Sequence, residues 1–394
     1  MTVAGAAISG RGNRVLLVLA LLGWLGMLAT GFVALAPNRL TSGQPMSLWT
    51  VTDWPSLIGV TGLGAALLAA ALAPRSKALH RATALIATLL LLLIFFAAGR
   101  AAETLSAAAG PVARISLGTA FWLTACCAAL AIVHAYQKLP AGPVLRVATA
   151  LAVCAAVAAM AAAGVFDRLS VMIEYRSHQT SFAHELGRHV FLVLGSVGAG
   201  LAIGVPLGIK LTASLRLRGP VFATLNLLQT IPSVALFGLL IAPLSMLAAA
   251  VPALAAFGIE GIGATPALIA LTCYALLPIV RYTYSAFSGV DPVVIEAGLG
   301  VGFTRGQILW RISLPLATPV LLAGLRIVLI QSIGLAVVAA LIGAGGLGTF
   351  VFQGIGQDAV DLVLLGTLPT IFMALATDFI LKSVTSILQE RVAP

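Results

Sequence analysis

The chain has 394 residues, of which 60% are hydrophobic and only 9% charged, and its mean hydropathy is +1.10. Roughly a quarter of a soluble chain is charged, so this composition excludes an ordinary water-soluble fold, although the length would suit two or three soluble domains. The 22 basic and 12 acidic residues leave a formal charge of +10, but no basic cluster is interleaved with aromatics, which argues against nucleic acid and for short basic loops facing anionic lipid.

In chain order, apolar runs predict helices at 15–36, 55–73, 81–99, 116–136, 144–166, 189–213, 220–247, 264–288, 316–342 and 360–388. Each approaches the ~20 residues that cross a bilayer, and lipid obliges the backbone of such runs to be helical. The expected fold class is an all-α polytopic membrane protein. Arg11 and Arg14 before Val15–Ala36 imitate a signal peptide, yet the run exceeds the ~7–15 residues of a signal core. Pro37 also follows the would-be cleavage site, so the expectation is a retained first helix. Cys126, Cys127, Cys154 and Cys273 lie in apolar runs without His at ligand spacing and read as packing residues.

A cytoplasmic N-terminus places 15 basic residues inside (Arg11, Arg14, Arg75, Lys77, Arg81, Lys138, Arg146, Lys210, Arg216, Arg218, Arg281, Arg305, Arg311, Lys382, Arg391) and six outside, with Arg326 left in a span. This positive-inside bias predicts a multi-pass membrane protein with both termini cytoplasmic. Three regions are expected: spans in 1–166, a polar periplasmic connector at 167–188, and a second set of spans in 189–390 interrupted by a cytoplasmic loop at 291–315.

That loop is the most informative stretch. Asp291-Pro292 is a helix start, and Glu296 follows in an early turn where the helix dipole favours a carboxylate. Gly300, Gly302 and Gly306 allow a sharp turn, and the amphipathic stretch Ile308–Leu314 ends at Pro315. A helix-turn-helix at the inner face would be a docking knob for a cytoplasmic partner.

At these residues the chain resembles the permease subunits of ABC importers. Glu296, Ala297, Gly302, Ile312, Leu314 and Pro315 stand at the spacing of that family's cytoplasmic loop motif, with Gly298 replacing its second alanine. The resemblance implies a type I (MetI-like) five-helix permease core preceded by about five extra helices. It also implies that Glu296, Ala297, Gly298, Gly302, Ile312, Leu314 and Pro315 couple the spans to an ATPase. Expected partners are a cytoplasmic ABC ATPase dimer that binds ATP and magnesium, a second permease (the same chain or a shorter relative) and a periplasmic solute-binding protein, with no cofactor in this chain. Gln229-Thr230-Ile231-Pro232-Ser233, Ile342–Gly348 and Asp378 resemble the osmoprotectant permeases, importers of glycine betaine, choline, carnitine or proline-type solutes. The first half is similar to an extended, Yeh-type betaine subclass through Pro37-Asn38-Arg39-Leu40, Ile115–Gly118 and Phe121-Trp122.

Physically, Pro232 breaks a span, and the carbonyls it frees near Gln229 and Ser233 would either line a polar path or belong to a packing kink. Gly343, Gly345 and Gly346 suit an outer gate or close helix packing. Gly200, Gly204 and Gly208, four apart, predict helix–helix contact. Arg326 and Asp378, the deepest ionisable residues of the core spans, are expected to pair near the cytoplasmic gate.

Other matches are discounted. Gly343–Gly348 fits the dinucleotide fingerprint but follows a helix, and His184 and His189 are five apart, on different helix faces. Lys follows Gly nowhere, so an ATPase phosphate loop is missing and the ATPase is expected on another polypeptide; no long soluble segment suggests a fused solute-binding protein. A secondary transporter would want midplane charges in both halves, and an enzyme clustered His, Asp or Glu at one face. The remaining alternative is a permease for another small solute such as an amino acid.

Overall fold

A computed structural model of the chain describes residues 12–392 except 40, 111, 140–142 and 257, and the side chains of 143, 255, 256 and 389–392 are also outside the description. Arg11, Leu40 and the Arg391 side chain, used in the sequence reading, therefore lie outside the described residues. The chain divides into two compact units, Met1–Ser177 and His178–Pro394.

The first unit runs α1 (Arg14–Ala29), β1 (Val33–Ala36), β2 (Gln44–Met46), α2 (Leu48–Val51), α3 (Trp54–Leu72), α4 (Lys77–Ala109), β3 (Arg114–Leu117), α5 (Thr119–Lys138), α6 (Pro143–Ala162) and α7 (Ser170–Ser177). The first expected span is corrected here. The helix stops at Ala29, Thr30 turns extended and returns its hydroxyl to the Gly26 carbonyl at 2.8 Å, and the last four residues of the run become β1. β1 is the centre of an antiparallel sheet in the order β2-β1-β3, pairing Val33 with Met46 and with Leu117. A short apolar strand and the tail of an apolar helix look alike by composition, which is why the run read as one element.

The sheet also gives the subclass motifs a physical purpose. Gly118 follows β3, and a Cβ there would stand 2.2 Å from the Gly31 carbonyl oxygen, so only glycine lets α5 start against β1. Phe121, fully buried, meets Phe32, Phe95 and Trp122 edge-on at 6.0, 5.1 and 5.2 Å. Arg39 Nε lies 3.0 Å from Glu174 Oε1 on α7.

The second unit runs α8 (Gln179–Ala213), α9 (Leu215–Thr230), α10 (Ser233–Ala250), α11 (Pro252–Ala256), α12 (Ala264–Ser288), α13 (Pro292–Gly300), α14 (Arg305–Ile308), a π-helical turn (Leu309–Ser313), α15 (Leu314–Val338), a 3-10 turn (Ala339–Ile342), α16 (Gly348–Gly356) and α17 (Val360–Val392). The polar stretch 167–188 holds α7 and the first ten residues of α8. The expected span 220–247 is two helices, α9 and α10, parted at Ile231 and Pro232. Among the described residues nine helices are long and apolar enough to cross a membrane, and Arg14–Ala29 is a shorter apolar helix.

Glycines set the closest packing. Cβ atoms at Gly200, Gly204 and Gly208 would fall within 3 Å of Ile279, Ile279 and Thr283 in turn, so α8 and α12 run parallel with their backbones in near contact. α9 runs back along α12, with Phe222 beside Tyr284 and Gln229 beside Tyr274. α15 does the same, with Gly324 against Tyr282 and Ile342 against Gly263. One end of this unit therefore gathers the end of α8, the start of α9 and the 291–315 loop. The 343–346 turn lies at the opposite end.

Candidate functional site

The 291–315 segment folds as two short helices and a tight turn. Asp291 Oδ1 accepts the Val293 amide at 2.9 Å, and Pro292 occupies the first turn, so α13 is capped as its sequence predicts. It ends at Gly302, whose φ of +90° is left-handed. The Phe303 amide reaches the Gly298 carbonyl and the Gly302 amide that of Leu299, a Schellman ending that requires glycine at this position. α14 opens with a reciprocal capping box between Thr304 and Gln307. The chain then runs through the π-turn into α15 without a break, with Pro315 in its first turn.

Gly298 is buried, and a Cβ there would come 2.8 Å from Ile312 Cδ1 and 3.5 Å from Ile308 Cγ1. Gly298, Ile308 and Ile312 thus lock α13 against the start of α15. Glu296 and Ala297 face outward. So do Val293, Val301 and Trp310, at 68%, 77% and 69% exposure.

At the opposite end, the glycine turn is bound to α8. Gly343, Gly345 and Gly346 have φ of +76°, +75° and +89°, a run of left-handed residues that L side chains resist. Glu185 Oε2 accepts the Gly346 amide at 2.5 Å and the Thr349 hydroxyl at 3.4 Å, while Arg188 Nε donates to the Ala344 carbonyl at 3.0 Å. His189, fully buried, packs directly under Gly346, where a Cβ would be 3.2 Å from its Nδ1, whereas His184 points to the exterior.

The break at Pro232 is stapled. Pro278, inside α12, has no amide hydrogen to offer the Tyr274 carbonyl one turn back. Gln229 Nε2 supplies the missing donor at 2.9 Å, and the Tyr274 hydroxyl donates to the Ile231 carbonyl at the break itself. Tyr274 thereby links the two interruptions, its hydroxyl donating to the Ile231 carbonyl and its own carbonyl accepting from Gln229. Arg326 Nε lies 2.8 Å from Asp378 Oδ1, with both side chains about a third exposed. Arg326 is the central residue of the 25-residue α15, about 18 Å from either end. The pair therefore sits at mid-helix on α15.

Comparison with known proteins decides what this arrangement is. Residues 200–394 match the family described as "Binding-protein-dependent transport system inner membrane component", and residues 13–172 match "ABC transporter permease YehY, N-terminal domain". The osmoprotectant import permease protein OsmW of Salmonella typhimurium is 36% identical over 222 residues, 56% of this chain and 97% of that protein. The chain belongs to the binding-protein-dependent ABC permease family. The carnitine transport permease protein OpuCB of Listeria monocytogenes is 39% identical over 49% of this chain and 82% of its own length. The glycine betaine/carnitine/choline transport system permease protein OpuCB of Bacillus subtilis is 33% identical over 54% and 88%. Among solved structures, the MetNI methionine ABC transporter in an inward-facing conformation aligns with 52% of this chain and 95% of that chain, at 25% identity and a TM-score of 0.45.

In this permease the sequence-selected residues fall into separate groups. Glu296 to Pro315 form one connected motif, Gly343, Gly345 and Gly346 form another at the far end, and Gln229 with Pro232 a third between α9, α10 and α12. Sequence reasoning missed three residues that hold these groups: Glu185, Arg188 and Tyr274. Pro278 was a usable signal for Tyr274, because a proline in a span orphans the carbonyl four residues earlier. Glu185 and Arg188 gave no such signal, since their partners are backbone groups more than 150 residues away.

Proposed function

We propose that this permease carries a quaternary ammonium osmoprotectant of the glycine betaine class into the cytoplasm, driven by an ATPase that grips the 291–315 loop. The observation that carries the coupling half of this reading is the exposed face of that loop. Val293, Glu296, Val301 and Trp310 project from a rigidly capped pair of helices. Exposed aromatic and aliphatic side chains around one carboxylate suit a protein contact better than open water.

The positive-inside bias puts this loop, both termini and the α8–α9 corner in the cytoplasm, and the 343–346 turn on the periplasmic side. Gly298 and Ile312 pin α13 to α15, so a displacement imposed on α13 becomes a displacement of α15. That helix is 25 residues long, about 37 Å, and leads to the glycine turn held by Glu185 and Arg188. Closure of an ATPase dimer around Mg-ATP would thus reach the periplasmic gate through one rigid element. A loaded solute-binding protein docks at that gate, and substrate passes between this chain and a second permease. The extra N-terminal unit, matched by the YehY domain, sets the chain apart from the shorter relatives.

The substrate class rests on the names of the relatives, which are osmoprotectant, carnitine and betaine permeases. The test is labelled glycine betaine uptake in cells lacking other betaine importers, with this permease, its ATPase and its solute-binding protein restored. Uptake competed by choline or carnitine supports the assignment. An assembled, ATP-hydrolysing complex that imports an amino acid but none of these amines contradicts it.

A further inference from the structure

His189 has no part in the transport cycle described above, and its spacing puts it on a different helix face from His184. The side chain is 0% exposed, yet among the described residues neither Nδ1 nor Nε2 has a hydrogen-bond partner. The Ile333 carbonyl on α15 approaches the ring without completing a hydrogen bond. A neutral imidazole carries one donor and one acceptor, so both are buried and unpaired. Such burial is costly and uncommon in native structures. By contrast, the buried Glu174 faces Arg39 at 3.0 Å, and the buried Ser196 returns its hydroxyl to the Val193 carbonyl at 3.1 Å.

The glycine turn covers this ring. A Cβ on Gly346 would stand 3.2 Å from His189 Nδ1 and 3.5 Å from its Cα and Cβ, so the backbone of the turn lies directly on the side chain. One helical turn further along α8, Leu192 and Val193 enter an apolar cluster with Ile333 and Ala344. The same helix holds the turn down, through Glu185 to the Gly346 amide and Arg188 to the Ala344 carbonyl. α8 therefore acts on the turn with opposite signs. Two charged side chains clamp it, and the imidazole beneath it makes the clamped position less favourable.

We propose that His189 biases the periplasmic gate toward opening. Seated, the turn covers an imidazole without a partner; lifted, it admits water to both ring nitrogens, and the desolvation cost is relieved. Gly343, Gly345 and Gly346 suit the movement, because they bring no side chains that must be repacked when the turn lifts. The clamp by Glu185 and Arg188 and the bias from His189 then set the resting position of the gate together. The role of the turn as a gate rests on the transport reading above, whereas its opening is measured without substrate or ATP, so the two can fail separately.

Hydrogen exchange at 343–349 is followed by mass spectrometry in the purified full-length permease, for wild type, His189→Leu and His189→Met. Leucine and methionine are close to histidine in volume and carry no group that needs a hydrogen bond, so each removes the unpaired nitrogens while filling the space. Each is expected to slow exchange at the glycine turn about tenfold, the effect of relieving one unpaired buried group. Exchange at 298–303, the turn at the opposite end of this unit, is expected to match the wild type. Exchange at 343–349 as fast as in the wild type, or faster, overturns the proposal, because the imidazole would then be neutral or stabilising where it sits. Equal slowing at both turns overturns it as well, since the effect would be global rather than local to the gate. If His189→Leu fails to fold because its branched side chain does not fit, the unbranched and adaptable His189→Met decides in the same way.

Discussion

Replacing Gly208 by alanine adds one methyl group where α8 meets α12. The added Cβ would fall 2.6 Å from Thr283 Cβ and 3.0 Å from the Val280 carbonyl oxygen. Neither atom is the end of a flexible side chain, so the helices must separate by about 1 Å to restore van der Waals contact at 3.5–4.0 Å. Overpacking of this kind costs about 1–3 kcal/mol, against about 1 kcal/mol returned by the better helix propensity of alanine. Gly198→Ala is the internal control, because nothing lies within 4 Å of a Cβ there and only the propensity gain applies. Thermal unfolding of the purified permease should therefore place Gly208→Ala below wild type and Gly198→Ala at or slightly above it. Equal stability of the two variants would refute the claim that α8 and α12 pack through glycine contact.

Tyr274→Phe keeps the ring but strands the Ile231 carbonyl, for a loss of about 1–2 kcal/mol; because Gln229 binds the same tyrosine's carbonyl, a cycle with Gln229→Leu should show non-additive losses, and strict additivity would break the staple argument. Glu185→Ala removes the acceptor for the Gly346 amide and the Thr349 hydroxyl; hydrogen exchange at 343–349 should rise at least tenfold, as loss of one hydrogen bond to a charged group implies, and unchanged protection would mean the turn is held by other contacts. Single reversals Arg326→Asp and Asp378→Arg should each lower uptake, while the double reversal restores it; losses that simply add would show that the 2.8 Å pair has no role in transport.

The spans and the loop motif were legible because their signals are local. Length and apolarity of a run dictate a helix in lipid, and Asp291, Pro292, Gly302 and Pro315 punctuate the chain at fixed spacing. Gly302 shows how far this goes: its position in the motif is explained by the left-handed turn that ends α13. What the sequence hid is non-local. Val33–Ala36 is as apolar as the helix before it, and only pairing with β2 and β3 makes it a strand. The break within 220–247 could be read from Pro232, but not the hydroxyl that satisfies it, because Tyr274 lies on another helix. Arg326 and Asp378 could be paired from the sequence because a charge inside a span seeks its opposite.

The most direct test of the account is charge reversal on the exposed face of the loop, Glu296→Lys, in the assembled importer. Glu296 projects outward, so its replacement leaves the contact between Gly298 and Ile312 intact and should not unfold the permease. The account predicts normal membrane insertion and solute-binding-protein docking, with ATP-driven uptake abolished and ATP hydrolysis no longer stimulated by the loaded binding protein. Wild-type uptake in that variant would contradict the claim that the 291–315 loop transmits the work of the ATPase.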